Sequence, residues 1–188
     1  PDVQIVLGGP EITADNAWVL EQVALDYAVL GEGEQTFVEL LSALEDHPHP
    51  PAPIAGLRLL PEGPPPLPRT PLARLDEISS PYLEGILDAG DERVLFLETV
   101  RGCVFKCRFC YYPKSYDRLY AASPERVLAN LRHAAERGAQ EVVILDPTLN
   151  QRPDFLDFLQ LLVQGNPGRQ FTYFAELRAE GIDAESAD

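Results

Sequence analysis

The sequence predicts an α/β fold in which parallel strands alternate with helices. Three observations carry that expectation. Short apolar runs stop at glycine or at a polar loop; amphipathic stretches separate them; and one helix is delimited at both ends, by Ser123-Pro124 and by Gly138.

The elements follow in order. "VQIVLGG" (3–9) is an apolar run ending in paired glycines, as a buried parallel strand does. "TADNAWVLEQV" has a polar start and helical character. "DYAVLGEGE" (26–34) repeats the strand-then-glycine pattern, and "EQTFVELLSALED" places Phe37, Val38, Leu40, Leu41 and Leu44 at helical spacing. This block reads β-α-β-α. Ten of the eighteen prolines then fall between Asp46 and Pro71, so that stretch is not helix interior. Within it "IAGLRLL" has the character of an isolated strand of a small hairpin. "PLARLDEISSPYLEGIL" reads as a connector ending in a short helix.

The next block is the clearest. "RVLFLETV" (93–100) is a strand. Ser123 caps a helix with Pro124 at its first position, running through Val127, Leu128, Leu131 and Ala134 to the Gly138 stop. "EVVILD" (141–146), "DFLDFLQLLVQ" and "QFTYFAEL" (170–177) supply a second strand, a second helix and a third strand. In parallel α/β architectures, sites form at the C-terminal ends of strands. The loop after the first of these strands, "DPTLN" after the second and "AELRAE" after the third therefore belong to one rim.

Charge narrows the function. The net charge is −15, and residues 1–57 hold ten acids and no Lys or Arg, which disfavours nucleic acid as a partner. No apolar run has the length of a membrane span and no signal peptide opens the sequence, so a cytoplasmic location is expected. The chain starts at Pro1 and contains no methionine, as an internal piece of a longer polypeptide would. His47 and His49 alternate in the proline stretch, a pattern more often solvated than metal-bound.

All three cysteines lie in "RGCVFKCRFCYYPK" at C-x3-C-x2-C spacing: Cys103, Cys107 and Cys110. Around them Arg101, Lys106, Arg108, Lys114 and Arg118 face a single acid, Asp117, and nearby cations favour thiolate. An odd number of cysteines argues against a disulfide framework. Zinc would need a fourth ligand or an open position, and the nearest downstream histidine is His133, on a helix. A four-iron cluster fits better. Three thiolates leave one iron without a protein ligand, open to a substrate or cofactor.

The same stretch resembles the C-x3-C-x-aromatic-C signature of the radical SAM superfamily, with Phe109 as the aromatic. "VQIVLGGPEIT…DYAVLGEGEQTFVELL" resembles the C-terminal half of the cobalamin-binding domain that precedes many radical SAM barrels. The resemblance implies a chain truncated at both ends: half of a Rossmann-like cobalamin-binding domain (1–46), a Pro-rich linker with a short hairpin and connector helix (47–92), and the first three β/α units of a partial TIM-type barrel (93–188). It further implies a [4Fe–4S] cluster on Cys103, Cys107 and Cys110, and S-adenosylmethionine (SAM) bound by Phe109, Asp146, Thr148, Asn150, Glu176 and Arg178. Cobalamin would lie at Gly8, Gly9, Gly31, Glu32, Gly33 and Glu34. No GGE tripeptide follows the second barrel strand; "DPTLN" stands there.

The implied activity is reductive cleavage of SAM to a 5′-deoxyadenosyl radical, with methyl transfer or another radical modification of a small-molecule or peptide substrate, and a flavodoxin or ferredoxin as reductant. The competing readings are an iron–sulfur electron-transfer module and a corrinoid-binding protein with an inactive barrel. Plain structural roles compete for single residues too: a turn at Asp146-Pro147, an ion pair between Glu176 and Arg178, core packing for Phe109.

Overall fold

The computed structural model describes residues 3–22, 24–47, 53–60, 63–110, 112, 116 and 118–183. His49, Lys114 and Asp117, singled out from the sequence, lie outside the described residues. The chain divides into two compact units, Pro1–Pro71 and Leu72–Asp188. Among the described residues no helix is long and apolar enough to cross a membrane.

In the first unit, β1 (Val6–Leu7) pairs in parallel with β2 (Tyr27–Val29), in the register Val6 with Tyr27 and Leu7 with Ala28. Helices α1 (Ala17–Gln22) and α2 (Glu34–Asp46) follow the two strands. All of β2 is buried, because alternate side chains feed opposite cores. Tyr27 and Val29 pack with Leu40 of α2, while Ala28 packs with Leu20 of α1.

The strand in "IAGLRLL" differs from its expected hairpin. As β3 (Leu57–Leu59) it pairs antiparallel with β2, matching Tyr27 to Leu59 and Val29 to Leu57. A three-residue strand buries Leu57 only by joining an existing sheet. The proline stretch behind it is fastened by Arg69. Its Nε donates to Thr36 Oγ1 at 2.7 Å and to the Ala55 carbonyl at 3.1 Å, and Nη2 meets Glu39 at 2.6 Å.

In the second unit, β4 (Val94–Leu97), β7 (Glu141–Ile144) and β8 (Thr172–Phe174) form a parallel sheet in the order β4-β7-β8. Phe96 stands opposite Val143, and Val143 opposite Phe174. Helices α3 (Pro124–Glu136) and α4 (Phe155–Gln164) join the strands. Leu95, Leu97, Val142 and Ile144 form one core with Val127 and Leu131 of α3 and with Phe158 and Leu162 of α4. Phe96, Leu145 and Phe174 alternate away from that core and remain about half exposed.

The expected connector helix is absent. Residues 75–77 make one 3-10 turn, and residues 81–87 coil back so that the Ile86 and Leu87 amides both donate to the Pro81 carbonyl. Pro81 ends any helix approaching it, and Gly85 takes a positive φ of 71°. A small ribbon that periodicity does not signal also forms. β5 (Val100–Arg101) pairs antiparallel with β6 (Tyr120–Ala121) and brackets the cysteine loop.

Ser123 caps α3 as expected, its hydroxyl accepting from the Arg126 amide at 3.2 Å. It also donates to Asp76 Oδ1 at 2.7 Å, and its amide donates to the same carboxylate. Burial works to raise the Asp76 carboxyl, but the hydrogen bonds from Ser123 and the charge of Arg126 leave it below its ordinary value. Replacing Ser123 by Ala is expected to cost about 1–2 kcal/mol in urea unfolding. Because the folded pKa is depressed, the Asp76 contribution is complete above the ordinary carboxyl range and is lost as pH falls through the lowered value. Asp76→Asn should therefore flatten the loss of stability measured between about pH 5 and about pH 3.

Candidate functional site

The C-terminal rim of the β4-β7-β8 sheet gathers three segments, and hydrogen bonds join them. The cysteine loop runs between β5 and β6. The segment after β7 contributes a 3-10 turn at Leu149–Gln151. The segment after β8 meets it: the Leu149 amide donates to the Glu176 carbonyl at 2.8 Å. Asn150 Nδ2 donates to the carbonyls of Arg178 and Glu180, both at 2.9 Å, and its Oδ1 accepts from the Arg178 amide at 3.0 Å.

The base of the loop is held by a buried carboxylate. Asp146 is 2% exposed. Its Oδ1 accepts from the Thr99 amide at 2.7 Å and the Val100 amide at 2.9 Å, and its Oδ2 accepts from the Thr99 hydroxyl. Burial pushes this carboxyl up, opposed by those hydrogen bonds and by the nearby Arg152 charge. The Arg152 guanidinium, 5% exposed, donates to Thr99 Oγ1 at 3.1 Å, binds Asp154 with Nε and Nη2, and lies 3.8 Å over the Phe158 ring. Bonding to Arg152 holds the Asp154 carboxyl below its ordinary value, against a smaller effect of burial.

The loop itself is shaped by Gly102. Its φ is +104°, and an added Cβ would stand 2.3 Å from the Arg118 carbonyl oxygen, so no other residue fits without backbone movement. Its amide donates to the Tyr112 hydroxyl at 3.1 Å, and its carbonyl accepts from Gln151 Nε2 at 3.0 Å.

Cys103, Cys107 and Cys110 are free thiols, each partly exposed. The Cys110 amide closes a turn on the Cys107 carbonyl at 3.1 Å. Arg178 Nη1 is 3.7 Å from Cys107 Sγ, and its guanidinium lies 4.2 Å over the Phe105 ring. Three unpaired thiols on one loop are the soft donor set that an iron–sulfur cluster uses. Among the described residues no three His, Cys, Asp or Glu side chains already converge as a metal cage. The donors fit such a cluster by type and by loop, and the loop would close upon it.

The other residues expected at the site divide. Phe109 is 94% exposed, so it is not core packing and its ring is open to a ligand. Asp146 and Asn150 face loop backbone. Thr148 is buried, its hydroxyl donating to the Pro147 carbonyl at 2.6 Å. Glu176 is exposed. Arg178 pairs with Glu180 at 2.8 Å rather than with Glu176. Thr99, Tyr112, Gln151 and Arg152 were not anticipated from sequence. The only signal for the last two is their position directly after "DPTLN" on the predicted rim.

In the first unit, Gly8 and Gly9 follow β1, and Gly31 to Glu34 follow β2, so parallel pairing sets both at one sheet edge. Gly9 and Gly31 take positive φ of 110° and 73°, and open space surrounds the position of an added Cβ at each. Gly33 caps α2 and Glu34 is its first residue.

Comparison with known proteins gives a family likeness for the second unit. The model of the radical SAM superfamily matches residues 97–177. Residues 97–177 are thus similar to a radical SAM domain. The match begins in β4, contains the cysteine loop, and ends beyond β8. The chain is 32% identical over 176 residues to 2-(S-pantetheinyl)-carbapenam-3-carboxylate methyltransferase of Streptantibioticus cattleyicolor, covering 86% of this chain and 26% of that protein. It is 30% identical over 176 residues to the cobalamin-dependent radical SAM methyltransferase TokK of Streptomyces tokunonensis, covering 87% and 26%. The chain thus spans about a quarter of the length of these curated relatives.

Among solved structures, the radical SAM methyltransferase TsrM of Kitasatospora setae, with cobalamin and a [4Fe–4S] cluster bound, superposes with a TM-score of 0.71 at 20% identity. That superposition covers 98% of this chain and 39% of TsrM. The structure of TsrM with tryptophan and a SAM analogue gives a TM-score of 0.72 at 19% identity, covering 98% and 38%. The α/β fold is therefore shared.

Thr99→Val removes the hydroxyl that joins Asp146 to Arg152. It is expected to lower stability by about 1–3 kcal/mol in denaturant unfolding. Gly102→Ala adds backbone strain on the order of 1–3 kcal/mol, seen as a lower melting temperature together with reduced iron uptake.

Proposed function

We propose that this chain is part of a cobalamin-dependent radical SAM methyltransferase. Cys103, Cys107 and Cys110 would hold a [4Fe–4S] cluster. The observation that carries this is the loop of three free thiols, tied by hydrogen bonds to the ends of β7 and β8 at the sheet's C-terminal rim. When bound, the cluster and SAM supply reductive cleavage to a 5′-deoxyadenosyl radical, and cobalamin supplies a methyl carrier.

The protein's own residues bind and orient. Arg178 sets a cation beside Cys107 and offsets the negative charge that three thiolates bring. Phe109 offers an open aromatic face to the adenine of SAM. Thr148, Glu176 and Arg178 border the same rim. Asp146 and Asn150 act one step back, through the backbone that they hold in place. In the first unit, the exposed backbone at Gly8, Gly9 and Gly31 would let a large planar corrinoid approach closely, with Glu32, Gly33 and Glu34 beside it.

Residues 1–46 are read as part of a Rossmann-like cobalamin domain, and 93–188 as the first β/α units of a partial barrel. Cytoplasmic residence, a flavodoxin or ferredoxin as reductant, and a small-molecule or peptide substrate belong to the same proposal. The likeness over most of the chain to two methyltransferases, one of them cobalamin-dependent, supports methyl transfer over electron transfer.

Anaerobic reconstitution with iron and sulfide tests the reading by electron paramagnetic resonance. The reduced protein should give a [4Fe–4S] signal that changes on adding SAM. Replacing any one of Cys103, Cys107 or Cys110 by Ala should abolish that signal and lower bound iron by about tenfold or more. A signal indifferent to SAM points to an electron-transfer module, and zinc in place of iron overturns the reading. Cobalamin retained without SAM cleavage points to a corrinoid-binding protein.

A further inference from the structure

Cys103 is the first of the three thiols, and one side chain grips the backbone on both sides of it. Gln151 Nε2 donates to the Gly102 carbonyl at 3.0 Å, and Gln151 Oε1 accepts from the Val104 amide at 3.0 Å. The side-chain amide thus pairs with residues 102–104 as a neighbouring strand would. Its orientation is determined by both partners. Rotating the amide by half a turn would set donor against donor and acceptor against acceptor, losing both bonds.

Two further contacts make the grip rigid. The Gly102 amide donates to Tyr112 Oη at 3.1 Å, so three backbone groups around Cys103 are satisfied by two side chains. Gln151 itself ends the 3-10 turn after β7. The next residue, Arg152, is buried and bonded to Thr99 and Asp154. The other half of the loop is closed differently, by its own Cys107–Cys110 turn. Cys103 is therefore anchored through the backbone on both sides of it, while Cys107 and Cys110 share a local turn that meets the rim through the Arg178 guanidinium at Cys107 Sγ.

The geometry points to Gln151 as a positioning residue for Cys103, which presets one corner of the cluster site before metal arrives. The assignment rests on the proposed cluster. It goes beyond it by assigning the placement of one ligand, Cys103, to a side chain outside the cysteine loop. Partners that fix the orientation of a metal ligand typically change affinity by about 10–100-fold when removed.

Two readouts on the full 188-residue chain test it. In the metal-free protein, Gln151→Ala should speed hydrogen exchange at the Val104 amide by about tenfold, since one hydrogen bond and the order it imposes are lost. In the reconstituted protein, the same variant should lose its cluster to a chelator about tenfold faster than the parent, with altered g values in the reduced spectrum. Gln151→Glu keeps an acceptor for Val104 but loses the donor to Gly102. Its Val104 exchange should stay near the parental rate while chelator loss remains fast.

Circular dichroism checks that each variant is folded; should Gln151→Ala unfold, Gln151→Glu carries the test through its chelator rate and spectrum. A parent that carries its cluster while the variants match it in exchange, chelator rate and g values overturns the role of Gln151 and leaves the cluster standing. A parent that assembles no iron–sulfur cluster overturns both.

Discussion

The buried carboxylate of Asp146 is the interaction on which the rest of the rim depends. A carboxylate at the end of a parallel strand has lost its water, and it stays there because three donors from Thr99 and Val100 replace that water. Those donors open the cysteine loop. The end of β7 therefore sets where the chain leaving β4 turns, and the thiols follow a few residues later. Arg152 completes the arrangement by placing a buried cation on the same Thr99 hydroxyl and stacking over Phe158 of α4. The loop base is thereby coupled to the helix that packs the sheet.

This arrangement divides the work between rigid and adjustable parts. Asp146, Thr99, Arg152, Gln151 and Asn150 use their polar atoms on loop backbone and on one another, in surroundings that are largely buried. The cysteines, Phe109 and Glu176 remain open. A cofactor site benefits from such a division, because preorganised supports lower the ordering cost when the ligand binds. Arg178 belongs to both parts: its backbone is held by Asn150, while its guanidinium reaches Cys107 and Phe105.

The first unit uses the same architectural logic with different chemistry. Its rim has no thiols. Two glycine-rich turns at the ends of parallel strands leave backbone exposed where side chains would stand. Such an edge keeps main-chain groups accessible at the strand ends. Arg69, through Thr36, the Ala55 carbonyl and Glu39, fastens its own end of the proline stretch to α2, which turns a segment of linker composition into part of the unit.

Much of this was determined by the sequence alone. The strand and helix order, the Ser123 cap, the Gly138 stop and the shared rim follow from periodicity and local chemistry, and the C-x3-C-x2-C spacing marks the loop of three thiols. These signals are legible because they depend on neighbours within a few residues. Tertiary structure alone decided the rest. It paired β3 with β2, since a three-residue strand takes its partner from across the fold. It put β5 and β6 around the cysteine loop. It directed Asp146 and Asn150 to backbone, and it brought Gln151 to Cys103 across 48 positions of sequence. Hydrogen bonds between distant segments leave no period and no local composition to read; their geometry exists only once the strands have set the loops side by side.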